Sequence, residues 1–598
     1  MSAEPMVPVR TRTLSVSAVR RAELVAPAVV ALGFVALVVL TWGTWGDLAH
    51  DTGYDWVAAQ RVADGQVPYA DFPYIYGPLG VGLLGGAFAL LGSGTGAVIA
   101  LGLVVATAAV AITYRLGLVL AGPVGAALSA GAAAVAAVGT GNMGLISPHA
   151  VVASVAVVLS LAAVLSAARF ATSEHRPWLV LIGAATGLGL LTRPEFAGAL
   201  VVAPALWLGL RVLRADARSR ALKDAAIWAA VAAAIPVVVY GFFLTQIGPR
   251  DLWDNLFPSA QLAAGSDKIL KASAPMTPGS IAHLLGDLGV YAAFAAAMVG
   301  AAMLIGRGGI VRKLVLAAVV IGAVGFLGAL VANPEAIRSR LDFAYAWIPA
   351  GAALATLVLA WHARDKAREW TVRDQAALLL ATLLTVVAAK TYAAFAPYPN
   401  PRFAQFAVYA LPLAALFMAW LHVEVLPRWS APARGLGIAW LAALLAAGVV
   451  LVANDGRDET VTVSGPGGSL TATPDQGAAY QAALTAILKN TKPGDPVLLA
   501  PQMTALYTLS DRTDPLPAIS LLPGTLADAG AEDAAIARMH DVRLAITDRR
   551  RLTEYGQGAF GVTYDRRLGA WLRSDFRRVA TLRGVGTDAV TLDLWQRR

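Results

Sequence analysis

Asp51 and Asp55 stand four residues apart at the head of DTGYDWVAAQRVADGQVPYADFPYIYGP, residues 51–78. Four residues make about one helical turn, so on a helix both carboxylates face the same way. A carboxylate at the lip of a partly dry cavity can take a proton from a hydroxyl as general base, or hold a divalent metal. The same stretch carries Tyr54, Tyr69, Tyr74 and Tyr76, whose hydroxyls and flat rings suit substrate contact, and Asp71 as a further first-loop contact. Pro68, Pro73 and Pro78 fix the path of the chain. A solvated loop helix would account for an ordinary pair of acids. Here strongly apolar runs flank the stretch, and Trp45 sets its start at a membrane surface.

Further polar residues interrupt apolar sequence. Arg193-Pro194-Glu195 breaks GLGLLTRPEFAGALVVAP, and placing Arg or Glu at membrane depth costs about 2.5–3.5 kcal/mol each. The pair either staples a hairpin or faces the cavity of the first loop, and the second reading is preferred. His149 opens a helix after Ser147-Pro148, while Arg338, Arg340 and Asp342 flank another helix start. Either arginine could bind a phosphate or serve as a snorkelling anchor. Lys390 lies inside an apolar run near its outer end. Arg402, in PYPNPRFAQFAVYALPL, precedes a helix, where an arginine can grip a phosphate group.

The elements that must position these residues are membrane spans. The 598 residues are 57% hydrophobic and 14% charged, with a mean hydropathy of +0.63; a soluble protein carries about a quarter charged residues. Apolar runs long enough to cross a bilayer lie near 24–41, 95–113, 118–138, 149–168, 178–192, 195–212, 225–246, 287–305, 314–331, 341–360, 376–395, 403–421 and 435–453. The expectation is a mainly α, polytopic transmembrane bundle of about 13 helices. The +9 net charge sits in short basic loops and the C-terminal part, which fits positive-inside topology rather than nucleic-acid binding. Arg10, Arg12, Arg20 and Arg21 precede the first run, and no small-residue cleavage site follows it, so a retained signal-anchor helix is expected. Basic loops then alternate only if the short, glycine-rich 79–93 does not cross and is interfacial or re-entrant. The absence of cysteine excludes disulfides and thiolate metal sites.

The expected organisation is a cytoplasmic tail (1–23) and a transmembrane module (24–453) with outer loops 42–94 and 247–286. A linker (454–474) and a small extracytoplasmic α/β domain (475–598) follow. The linker reading rests on the Gly, Ser, Thr and Pro content of GRDETVTVSGPGGSLTATPDQ. Beyond it, PVLLA, VRLAIT, RRVATLR and AVTLDLW read as strands, with helices at 476–490 and 529–540. The domain shows no phosphate loop, metal cluster or nucleophile elbow in its sequence, so a capping or substrate-contacting role is expected of it.

The first-loop stretch, with its acidic residue, helix and G-x-x-P-Y-x-D-F pattern, resembles that of the GT-C superfamily, polytopic glycosyltransferases that use polyprenyl-phosphate sugars. LGLLTRPE resembles the family's Leu-(Thr)-Lys/Arg-Pro-Glu break, and PRFAQFAVYALPLAAL its Arg-Tyr/Phe to Leu-Pro helix. PVLLAPQMTALYTLSDRTDPLP resembles the tail of bacterial members. The resemblance implies a glycosyltransferase with Asp51 as general base and Asp55, which shares its helix face, as the alternative; many members have two adjacent acids where this chain has His50-Asp51-Thr52. It implies a polyprenyl-phosphate-linked donor, a glycan, lipid or protein acceptor, inversion at the anomeric carbon, and the lipid bilayer as surroundings. Arg193, Arg402 and the arginines of 333–342 would stabilise the phosphate leaving group. No organic cofactor is implied, and a divalent metal is left open. The Ala, Gly and Arg content points to a GC-rich bacterium, hence a plasma membrane and cell-wall donors of the mannosyl or arabinosyl kind. A flippase for lipid-linked glycans and a membrane scaffold with a glycan-binding outer domain are the competing readings.

Overall fold

The computed structural model describes residues 16–48, 52–139, 144–148, 150–257, 278–334, 337–338, 348–394, 401–428, 432–587 and 589–598. The membrane part is built from α1 (Val16–Leu40), α2 (Thr52–Ala63), α3 (Pro78–Leu91), α4 (Thr95–Ala137), α5 (Val151–Ser173), α6 (Pro177–Gly189), α7 (Pro194–Arg214) and α8 (Arg218–Leu244). It continues through α9 (Pro249–Leu256), α10 (Pro278–Gly306), α11 (Gly309–Ala332), α12 (Ile348–Arg364), α13 (Val372–Ala394), α14 (Pro401–Trp420) and α15 (Ala433–Asp458). Among the described residues eight helices are long and apolar enough to cross a membrane, and shorter apolar helices accompany them. The chain is a multi-pass, mainly helical membrane protein.

Local sequence explains the breaks. Within α4, Gly122 takes a φ of 69° ahead of Pro123, a left-handed turn that glycine enters without penalty. The chain doubles back there: a Cβ on Gly117 would lie 2.5 Å from the Cα of Ala126. The runs expected at 95–113 and 118–138 thus form one tight hairpin, with its turn at Gly122, inside the second run rather than between the two. α6 and α7 part where Pro194 occupies the first helical position and Arg193 is extended, as the residue before proline prefers. α3 has 14 residues, about 21 Å of helix against a hydrocarbon core of about 30 Å.

After α15 come β1 (Val461–Gly465), β2 (Gly468–Ala472), α16 (Pro474–Asn490), β3 (Leu498–Ala500), α17 (Ala505–Ser510), α18 (Ala529–Arg538), β4 (Leu544–Asp548), α19 (Arg566–Asp575), β5 (Phe576–Arg583) and β6 (Thr591–Arg597). The four-stranded sheet runs β3-β4-β6-β5, with β3 and β4 parallel and the remaining pairs antiparallel. β3–β6, α16 and α18 lie where the sequence places them, whereas the short helices α17 and α19 are additions to that expectation.

The stretch read as a linker is different. α15 extends to Asp458, and 461–472 form a β-hairpin. The Gly and Ser content that looked flexible permits close packing instead. Gly467 donates its N–H to Leu509 O at 3.2 Å and accepts from Thr95 N at 2.9 Å. Thr471 binds Gly43 O through both its backbone N–H (3.0 Å) and its hydroxyl (2.8 Å). The hairpin joins the C-terminal domain to the chain on both sides of the first loop.

Candidate functional site

The first loop is organised around Asp55. Its side chain is 1% exposed. One oxygen accepts from the Tyr74 hydroxyl at 2.8 Å, and the other from Val151 N at 2.7 Å. Val151 begins α5, whose N-cap Ala150 has no side chain to satisfy the helix end. Asp55 therefore supplies the cap from another helix, where the negative charge is favoured. Burial, then the Asp55 charge, pushes the Tyr74 phenol well above its ordinary range, so it remains a protonated donor. This geometry gives Asp55 an anchoring job, which differs from the expectation that it could replace Asp51 as base. Asp51 itself lies outside the described residues.

The tyrosines divide into anchors and a lining. The Tyr69 hydroxyl donates to Tyr76 O at 2.6 Å, and its ring packs edge-on against Phe243 at 4.9 Å. Asp71 accepts from Val67 N at 2.7 Å, closing the turn before Phe72. Tyr54 stacks on Tyr74 at 5.8 Å and meets Tyr76 edge-on at 6.2 Å. Tyr54 and Tyr76 are half-buried, whereas Tyr69 and Tyr74 are buried.

The helix break comes to the same place. A Cβ on Gly77 would lie 2.2 Å from Leu191 O, and Leu79 N donates to that oxygen at 3.1 Å. Arg193 sits over the Tyr76 ring at 5.6 Å and pairs with Glu195 at 2.7 Å. The structure thus brings Arg193, Glu195, Tyr54 and Tyr76 together, half-buried, beside the loop that Asp55 anchors.

The remaining expected residues are elsewhere or not described. Arg338 pairs with Asp455 near the end of α15. His149 and Arg340 lie outside the described residues, and Lys390 and Arg402 fall on α13 and α14 at positions whose side chains are not described. Among the described residues no group of three or more His, Asp or Glu side chains could hold a metal ion.

Three features escaped the sequence reading. Glu459, just past α15, accepts from the Thr471 hydroxyl at 3.1 Å; burial, with Asp455 and Asp47 nearby, pushes its carboxyl up to about 8. Gln502 and Arg550, at the carboxyl ends of the parallel strands β3 and β4, are joined at 3.1 Å. Arg61 of α2 enters the C-terminal domain and pairs with Asp514 at 3.1 Å. None carries a local signal, because each partner is distant in sequence.

No protein-family model and no curated protein matches the chain. Solved structures with a similar course include an Archaeoglobus fulgidus oligosaccharyltransferase in complex with zinc and sulfate, at 15% identity and a TM-score of 0.46 over 87% of this chain and 68% of that one. Another is ArnT from Cupriavidus metallidurans bound to undecaprenyl phosphate, at 14% identity and a TM-score of 0.44 over 97% and 98% of the two chains.

Proposed function

We propose that this chain is an integral membrane glycosyltransferase that moves a sugar from a polyprenyl-phosphate carrier to an extracytoplasmic hydroxyl. The observation that carries the reading is the meeting of the first loop with the TRPE break. Two motifs more than a hundred residues apart in sequence put a guanidinium, its paired carboxylate and two tyrosine rings beside α2, the helix that follows Asp51 in the sequence.

The chemistry follows from those groups. Asp51 takes the proton of the acceptor hydroxyl as its oxygen attacks the anomeric carbon. The C–O bond to phosphate breaks in the same displacement, the configuration inverts, and the polyprenyl phosphate leaves with the bonding pair. A phosphate is a weak base, so it needs charge stabilisation more than a proton; Arg193, with Arg402, supplies that. Tyr54 and Tyr76 offer flat faces to the sugar. An apolar cavity among α4, α12, α14 and α15, lined by Leu128, Val135, Leu411, Met418, Leu441 and Leu445, suits an isoprenoid tail. Topology with the first loop and the C-terminal domain outside a bacterial plasma membrane belongs to the same proposal, as do mannosyl or arabinosyl donors of cell-wall assembly.

Reconstituted protein offered radiolabelled hexosyl and pentosyl polyprenyl phosphates is expected to release label from one of them onto an acceptor glycan, lipid or protein. Retention of all label on both lipids, with folded protein present, contradicts the reading. Arg402→Ala is expected to weaken donor binding, and unchanged affinity rejects its phosphate role.

A further inference from the structure

Arg61 is only 8% exposed, although an arginine is seldom buried unless its donors are matched. Its socket belongs to the C-terminal domain. Nη1 donates to Pro517 O at 2.6 Å, Nη2 donates to Leu516 O at 2.5 Å, and Nη2 pairs with Asp514 at 3.1 Å. The ring of Phe72, from the first loop, covers the guanidinium at 5.4 Å. Asp514 also accepts from Leu516 N at 3.0 Å, and Pro515 and Pro517 restrict the backbone between. The carbonyls are therefore held in fixed positions around the guanidinium.

A second contact lies two turns earlier on α2. A Cβ on Gly53 would come 1.9 Å from Ala505 N, so the helix rests backbone to backbone on the start of α17. Gly53 and Arg61 face the C-terminal domain, while Asp55 between them reaches α5. The helix is clamped from two sides, and the residue two positions before Gly53 is Asp51.

We propose that the C-terminal domain is part of the transfer machinery, with Arg61 as the positioning residue that locks α2, the helix that follows Asp51 in the sequence. This rests on the glycosyltransferase reading for its catalytic consequence and on the interface alone for its mechanics. Misplacing a reacting group by about 1 Å can cost on the order of 100-fold in rate. A loosened α2 therefore lowers turnover more than it weakens donor binding, because Tyr54 rides on α2 whereas Arg193 and its partner Glu195 do not.

The test uses the full chain in nanodiscs, with Arg61→Met, Arg61→Lys and Gly53→Ala. Hydrogen exchange in residues 52–63 is expected to quicken by about 10-fold in Arg61→Met and Gly53→Ala, while β4 and β6 keep their protection. The kcat for sugar transfer is expected to fall by roughly 10–100-fold, with a smaller rise in donor KM because Tyr54 moves with α2, and Arg61→Lys to recover part of it. Unchanged exchange at 52–63 in both variants overturns the proposal. So does faster exchange throughout 474–598, which would make Arg61 a residue of general stability, or a loosened helix with unaltered kcat. Should the wild type transfer no sugar, the glycosyltransferase reading fails and the exchange result still decides whether Arg61 holds the helix.

Discussion

α5 and α11 have mean hydropathies of 2.5 and 2.8, yet 78% of the apolar window of α5 is buried within the protein and only 6% of that of α11. Apolarity puts both in the membrane and says nothing about which half of the bundle they serve. The packed half, around α3–α7 with α13 and α14, holds the first loop and receives Asp55. The other half, α8, α11 and α15, presents most of its surface outward. What separates them is polar satisfaction and small-residue contact. In lipid there is no hydrophobic gain from burying one helix on another, so close packing and hydrogen bonds decide.

Four substitutions probe this contrast. The largest structural effect is expected for Asp55→Ala. It strips the Tyr74 hydroxyl and Val151 N–H of their buried acceptor, at a cost of about 2–5 kcal/mol in unfolding free energy. Next is Gly102→Ala in α4, where the new Cβ would lie 1.9 Å from Ile146 O. Overpacking of this kind costs about 1–3 kcal/mol, read as a lower denaturation midpoint.

A smaller and pH-dependent effect is expected for Glu459→Gln. The folded carboxyl sits at about 8 against an ordinary 4.5, chiefly because it is buried. The stability from holding its proton is complete below the ordinary value and is lost as pH rises through about 8. Wild-type melting temperature should therefore fall between about pH 5 and 8 and level off above that, in a way that Glu459→Gln, neutral throughout, does not share. The smallest effect is expected for Gly325→Ala in α11, where nothing lies within 4 Å of the added Cβ. Its stability should stay within about 0.5 kcal/mol of wild type, and a loss as large as that of Gly102→Ala would break the contrast between the halves.

Much of this architecture was legible in sequence because its signals are local. Long apolar runs gave the helices, Thr192-Arg193-Pro194 gave the break, and short β-branched runs gave the strands of the C-terminal domain. Asp55 was visible as an acid on a helix, but its task depends on the empty cap of α5 and on Tyr74, which no spacing reveals. The hairpin at 461–472 was hidden because glycine and serine mark flexible chain and tight backbone contact alike; the neighbours Thr95, Gly43 and Leu509 decide which. Arg61 was unreadable for the same reason, since its socket begins at Asp514.

The central claim is that Asp51 removes the acceptor proton while Asp55 holds the loop. The direct measurement is sugar transfer from polyprenyl phosphate by reconstituted wild type, Asp51→Asn and Asp55→Asn, each normalised to folded protein and to donor bound. The expected result is loss of about 100-fold or more in kcat for Asp51→Asn with stability and donor binding kept, and a primarily structural defect for Asp55→Asn. Full turnover by Asp51→Asn would contradict the account.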